Sequence, residues 1–168
     1  MLNISIFGLG YVGCVSLGCL AKNGHRVIGV DLNETKTDFV NKGQSTIVEM
    51  EIDNIISEEH KLGKISATTD GIQAVINTYV SFICVVTHST PNGHLNLNSI
   101  FKVSEEIGKG IREKNSFHVI VIRSTVLPGT NKKVAKIIED ISGKDCNKSY
   151  AVVSNPEFLR EGSAVRDY

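Results

Sequence analysis

The sequence predicts an α/β protein, a doubly wound and mostly parallel sheet of about six strands with helices on both faces. Three observations carry this. Residues 3–31 run as an apolar segment, a glycine cluster, a helical pattern and a second apolar segment closing on an acid, which is the order of a β-α-β unit. Apolar runs and segments of helical period then alternate as far as Ser154, as expected where helices cross over between parallel strands. The runs at 80–86 and 118–123 are apolar at nearly every position, as strands covered on both faces should be.

The first strand is Asn3-Ile4-Ser5-Ile6-Phe7, and Gly8-Leu9-Gly10-Tyr11-Val12-Gly13 follows it at GxGxxG spacing. Gly8 lets the chain turn tightly off the strand, Gly10 lets backbone approach a pyrophosphate, and Gly13 lets the following helix pack on the sheet. The first-turn amides of that helix are unpaired and, with its dipole, favour an anion, so phosphates are expected at Tyr11, Val12 and Gly13. A second strand over 26–30 ends on Asp31, 18 residues beyond Gly13. An acid at about 20 residues' separation reaches the ribose hydroxyls of adenosine. Its charge repels a 2′-phosphate, which selects NAD. The start of the chain is therefore Rossmann-like.

Asn33 opens a helix over 33–41, stopped near Gly43, with Lys36 one turn inside it beside the ribose acid. Between 48 and 62, Ile52, Ile55 and Ile56 recur at helical spacing and give a short helix. A brief strand over 65–68 leads to Thr69-Asp70, a cap for a helix through Ile76. The strand over 80–86 runs into the turn-rich loop 87–94, and Thr87 becomes a site candidate because ligands bind outside the carboxyl ends of strands. Ile100, Val103, Ile107 and Ile111 mark a long amphipathic helix over 98–114. The strand over 118–123 delivers Ser124-Thr125-Val126-Leu127-Pro128-Gly129-Thr130, and a helix over 131–141 ends at Gly143. A last strand over 150–154 delivers Asn155-Pro156-Glu157-Phe158-Leu159-Arg160-Glu161.

A chain of 168 residues is within the usual span of one domain. Lysine plus arginine is 18 and aspartate plus glutamate is 18, a balance with no pull toward nucleic acid or an anionic membrane. No apolar run is long enough to span a bilayer, and the first strand begins without a leader pattern, so the reading is cytoplasmic. The expected partners are a small molecule or another protein. Cys14, Cys19, Cys84 and Cys146 lack metal-ligand spacing and read as structural free thiols.

Taken together, several segments resemble the N-terminal, NAD-binding domain of the UDP-glucose/GDP-mannose dehydrogenase family, across essentially the whole chain. The resemblance is carried by the glycine cluster, Gly24-His25, Val30-Asp31, Thr68-Thr69-Asp70, the string from Arg123 to Thr130 and the string from Asn155 to Glu161. The last two are the most diagnostic. Ser5-Ile6-Phe7, the run at 80–85 and Ile111-Arg112-Glu113-Lys114 are worded most like the members that oxidise GDP-mannose to GDP-mannuronate, with the UDP-glucose members as the alternative.

The resemblance implies a two-step oxidation of a nucleotide sugar's primary alcohol to a carboxylate, with two NAD molecules as acceptors and a cysteine thiolate holding the intermediate. It assigns Tyr11, Val12, Asp31, Lys36, Thr87 and Thr125 as cofactor contacts. Thr125 and Glu157 are the candidate catalytic residues, positioning or activating water, with Glu157 and Glu161 at the substrate edge. An ion pair of Glu157 with Arg123 or Arg160 is the structural alternative.

The chain also departs from the family pattern. Val86 and His88 flank Thr87 where glycine and proline are usual, Asn96 replaces an aspartate, and Met50-Glu51 replaces the Pro-Gly expected after Glu49. Tyr168 falls before the central helix, the nucleophilic cysteine and the sugar-nucleotide domain expected in the family. The expectation is thus a domain that binds NAD, lacks the nucleophile, and needs a further half to use its nucleotide-sugar substrate. Two rivals stand beside it, a non-catalytic interaction module that self-associates through an uncovered apolar surface, and a hydroxyacid dehydrogenase built on the same start.

Overall fold

The computed structural model describes residues 1–87 and 95–168. His88 and the rest of the loop read after Thr87 lie outside the described residues.

Among the described residues six strands, β1 (Asn3–Phe7), β2 (Arg26–Val30), β3 (Ile65–Thr68), β4 (Val80–Ile83), β5 (His118–Ile122) and β6 (Tyr150–Ser154), form one sheet. Their order is β3-β2-β1-β4-β5-β6, and every pairing is parallel. The sheet is wholly rather than mostly parallel. The chain winds outward from β1 in one direction and from β4 in the other, so the crevice at the carboxyl ends of β1 and β4 is the switch point where such sheets bind ligands.

Among the described residues seven helices flank the strands: α1 (Tyr11–Lys22), α2 (Glu34–Asn41), α3 (Ile52–Lys61), α4 (Gly71–Ile76), α5 (Asn98–Glu113), α6 (Thr130–Ser142) and α7 (Ala164–Asp167). Successive strand side chains point to opposite faces, and the two cores follow that alternation. Ile4 and Ile6 pack with Leu17, Ala21, Ile52 and Ile56 of α1 and α3. Phe7, Val30, Ile83, Ile120 and Ile122 pack with Val75, Ile107, Ile111, Val134 and Ile138 of α4, α5 and α6. Each such aliphatic or aromatic side chain, taken from water to full burial, contributes roughly 1.5–3 kcal/mol.

Several boundaries differ from the sequence expectation. β4 ends at Ile83, not at residue 86, because its register partners Phe7 and Ile122 end there too. α3 begins at Ile52, because Glu51 adopts φ 69 in the left-handed region and breaks any earlier helical turn. α7 was not expected, since four residues are too few to show a period. The caps read at Asn33 and Asp70 are present, their side chains accepting the amides of Thr35 and Gln73 at 3.0 Å.

The amino end of the sheet carries a buried polar chain. Lys114 Nζ donates to His118 Nδ1 at 3.0 Å, His118 Nε2 lies 2.8 Å from Ser81 Oγ, and Ser81 Oγ lies 2.7 Å from Ser5 Oγ. An ammonium only donates, so His118 accepts at Nδ1 and carries its proton on Nε2. Basic side chains also close the three helices on this face. Lys114 donates to the carbonyls of Val75 in the last turn of α4 and Thr78 just past it, Lys144 to those of Ile111 and Lys114 at the end of α5, and Arg112 to that of Ile141 in α6. Cations at helix carboxyl ends offset the negative pole there.

Candidate functional site

The glycine cluster forms the turn from β1 into α1, and its three glycines have three different reasons. Gly8 sits at φ 96, where a Cβ would lie 3.0 Å from the carbonyl oxygen of Cys84. At Gly13 a Cβ would fall 1.8 Å from the carbonyl oxygen of Gly8, so only glycine lets α1 lie this close to the turn. A Cβ on Gly10 would meet nothing within 4 Å. That open space faces an uncapped helix start. The first α1 bond runs from the Cys14 amide to the Gly10 carbonyl, and no side chain caps the amides of Tyr11, Val12 and Gly13 ahead of it. No acid occupies the first turn. The site fits a pyrophosphate, for which these amides are donors.

Asp31 lies at the carboxyl end of β2. Its Oδ2 accepts the Leu9 amide at 2.8 Å and lies 3.3 Å from Lys36 Nζ, while Oδ1 accepts the Asn33 amide at 2.9 Å. Lys36 is therefore held on the acid rather than free on the helix face. Beside Asp31 opens a cleft of about 550 Å³ with Gly8 at its floor and Phe7, Val30, Leu32, Val85 and Val103 among its walls. Lys102, Glu105, Glu106 and Lys109 also line it; the apolar walls suit a flat base, and Asp31, at the strand end, suits the ribose attached to it.

A second hollow of about 210 Å³ lies on the other side of the glycine turn, at the carboxyl ends of β4 and β5. Gly10, Tyr11, Val12, Thr87, Thr125 and Glu157 all line it. Thr87 Oγ1 donates to the Thr125 carbonyl at 3.2 Å, tying the two strand ends together. Ser124 Oγ does the same to the Val85 carbonyl at 2.7 Å. Val86 lines the hollow but is 58% exposed. Glu157 Oε2 accepts the Leu159 amide at 2.7 Å, which fixes the carboxylate. It forms no ion pair among the described residues, because Arg160 pairs with Asp167 at 2.7 Å and Arg123 bonds Asn155.

Glu161 is not in this hollow. It lies with Tyr11, Ile47, Met50 and Gly162 in a separate depression around Glu49. Two further residues owe their place at the site to the fold more than to local sequence. Glu49 bonds Tyr11, Gly162 and Ala164, partners up to 115 residues away. Arg123, 8% exposed, stacks its guanidinium 4.9 Å from the Tyr168 ring under the hollow. A cationic residue at the end of a buried strand is the one cue that could have marked it.

The cysteines near the site are poor nucleophiles. Cys84 lines the hollow, but burial pushes its thiol up to about 12. Burial also raises Cys14, and takes Cys19 to about 11. The thiolate is the reactive form, so these groups stay inert at neutral pH. Among the described residues no three metal-ligating side chains cluster, and no helix is long and apolar enough to cross a membrane.

Known proteins place this arrangement. Residues 2–168 match the description "UDP-glucose/GDP-mannose dehydrogenase family, NAD binding domain". A GDP-mannose 6-dehydrogenase of Pseudomonas aeruginosa is 52% identical over 168 residues, 99% of this chain and 38% of that protein. The solved structure of a GDP-mannose dehydrogenase from the same organism superposes with a TM-score of 0.96 over 98% of this chain and 38% of that one. A UDP-glucose dehydrogenase from Pyrobaculum islandicum superposes at 0.94, with 36% identity, over 99% of this chain and 38% of its own. The chain thus spans 38% of the length of these relatives. By the match of its whole sequence and by its parallel sheet with an open glycine turn, the chain belongs to the UDP-glucose/GDP-mannose dehydrogenase family, as that family's NAD-binding domain.

Proposed function

We propose that this chain supplies the cofactor side of a nucleotide-sugar 6-dehydrogenase of the GDP-mannose type, converting a primary alcohol to a carboxylate in two oxidations. The observation that supports this best is the pair of hollows that share Val85, one lined by Gly8 and Asp31 and the other by Gly10, Thr87, Thr125 and Glu157. NAD, when bound, supplies the hydride acceptor. The amides of Tyr11, Val12 and Gly13 hold its pyrophosphate, with Gly8 and Gly10 giving backbone access. Asp31, steadied by Lys36, takes the adenosine ribose.

Thr87 and Thr125 border the nicotinamide side. There Glu157, facing a hydroxyl, accepts a proton or orients water, and such groups typically contribute about a hundredfold to ten-thousandfold in rate. Glu161 meets the sugar nucleotide from the neighbouring depression. The nucleophilic thiol and the grip on the sugar belong to a further part of the enzyme, and the chain alone binds cofactor without turnover. A cytoplasmic setting and a product used in polysaccharide synthesis complete the proposal.

Calorimetric titration with NAD and with NADP tests it. NAD is expected to bind and NADP to bind more weakly, whereas no heat at millimolar NAD overturns the reading. A second reading is favoured by the apolar rim of the site, where Phe158 is 86%, Leu127 54% and Val86 58% exposed. Such patches mark interaction surfaces, and self-association through this rim would appear in light scattering as a mass that rises with concentration. A constant monomer mass removes that reading.

A further inference from the structure

Glu49 is only 9% exposed, and its carboxylate has no ion-pair partner among the described residues. Three donors satisfy it: Tyr11 Oη at 2.6 Å, the Gly162 amide at 2.8 Å and the Ala164 amide at 3.2 Å. The tyrosine hydroxyl, followed by the Gly162 amide, holds the Glu49 carboxyl below the usual range. Burial first, then the bond and charge of Glu49, push the Tyr11 phenol up to about 12.

These three donors belong to different halves of the site. Tyr11 is the first residue of α1, whose free amides form the phosphate seat. Gly162 and Ala164 follow directly on the segment that holds Glu157 and Glu161. Further contacts run the same way. Tyr11 Oη lies 3.3 Å from the Arg160 carbonyl, and Thr46, on the same loop as Glu49, donates to the Leu9 carbonyl at 2.8 Å. The loop is thereby fastened to the glycine turn on one side and to the 157–164 segment on the other.

Capping α7 does not account for this. That helix has only four residues, and the shortest of the three bonds goes to the tyrosine instead.

We infer that Glu49 is a positioning residue which, through the Tyr11 hydroxyl, makes the segment of Glu157 and Glu161 take its place from the phosphate-binding turn. Occupying that turn then orders the substrate side of the site. The inference rests on the NAD reading above. A phosphate on the amides of Tyr11 and Val12 stiffens the helix start, and the rigid tyrosine ring carries that restraint to Glu49 and on to Gly162. Coupling of this kind is reciprocal, so a ligand on the 157–161 segment would in turn tighten NAD.

The test is hydrogen–deuterium exchange on this chain, with and without saturating NAD, for the wild type, Glu49→Gln and Tyr11→Phe. The readout is the Leu159 amide, which bonds Glu157 and not Glu49. In the wild type NAD is expected to slow its exchange by about fivefold or more. In both variants the ratio of exchange with and without NAD should fall close to one. A merely structural role would speed exchange equally in both states and leave the ratio at the wild-type value, which would overturn the inference. So would a wild-type Leu159 that ignores NAD, or loss of NAD binding in Tyr11→Phe, since the hydroxyl would then belong to the cofactor seat. Should Glu49→Gln fail to fold, Tyr11→Phe removes a single oxygen and decides alone. Absence of any NAD binding by the wild type defeats the cofactor reading instead, so the two failures are distinct.

Discussion

The Asp31 carboxylate reaches back 22 residues along the chain to accept the Leu9 amide at 2.8 Å. The acid that marks the end of β2 thus also braces the glycine turn, and one substitution bears on both duties. Asp31→Asn keeps an oxygen for Leu9 but loses the charge. Hydrogen bonds to charged groups are worth about 1.5–3 kcal/mol, so calorimetry should show NAD binding weakened roughly ten- to hundredfold, with less discrimination against NADP. The melting temperature should also fall, because asparagine offers one oxygen where the carboxylate serves the Leu9 and Asn33 amides separately.

Gly10 and Gly13 should fail in opposite ways when replaced by alanine. Space around Gly10 is open, so Gly10→Ala should keep its denaturant midpoint while its methyl group obstructs the pyrophosphate and NAD titration gives no heat. The Gly13→Ala methyl would collide with backbone, and overpacking of that kind costs about 1–3 kcal/mol or more. Urea unfolding should show that loss before any ligand is added.

Glu51 adopts φ 69 without being glycine. A side chain in the left-handed region costs roughly 1–2 kcal/mol, and the ion pair Glu51 forms with Arg166, at 3.9 Å between exposed groups, contributes little. Glu51→Gly is expected to raise stability by about 1 kcal/mol, read as a higher urea midpoint at unchanged slope.

His118 makes stability depend on acid. Burial, then the Lys114 charge, lowers its pKa from 6.5 to about 3. The folded state therefore binds fewer protons than the unfolded chain between those values. Stability from the neutral ring is complete above pH 6.5 and is lost as pH falls toward 3. One proton is worth about 1.4 kcal/mol per pH unit. Urea unfolding between pH 5 and 6.5 should show a slope shallower by nearly one proton in His118→Gln. Lys114, held down to about 8 by burial and then by Lys144, acts in a separate window. Its unfavourable burial is complete below pH 8 and is relieved as pH rises toward 10.5.

What the sequence disclosed was local. The three glycines, Asp31, the caps at Asn33 and Asp70, and the strand-end strings at Thr125 and Glu157 each announce themselves within a few residues, because turns, caps and strand periods are short-range devices. The apolar run over 80–86 outlasts the strand it forms, because the end of β4 is set by β1 and β5 and not by its own residues. Glu49 was legible only as the residue before an altered dipeptide. Its meaning lies in bonds to Gly162 and Ala164, 113 and 115 residues away, which no spacing rule encodes. Arg123 likewise acquires Tyr168 only once the chain has folded back. Glu161, grouped with Glu157 by proximity in sequence, points into a different depression, since the turn after Arg160 redirects the chain.

The basic residues that close α4, α5 and α6 are exchanged between neighbours rather than kept. Lys114 leaves α5 to serve α4, Arg112 of α5 serves α6, and Lys144, just beyond α6, returns to α5. No member of the trio can fray without stranding carbonyls in the next. This half of the molecule should therefore open as a single cooperative block, with slowly exchanging amides across all three helices, while the short segment around α7 opens far more readily.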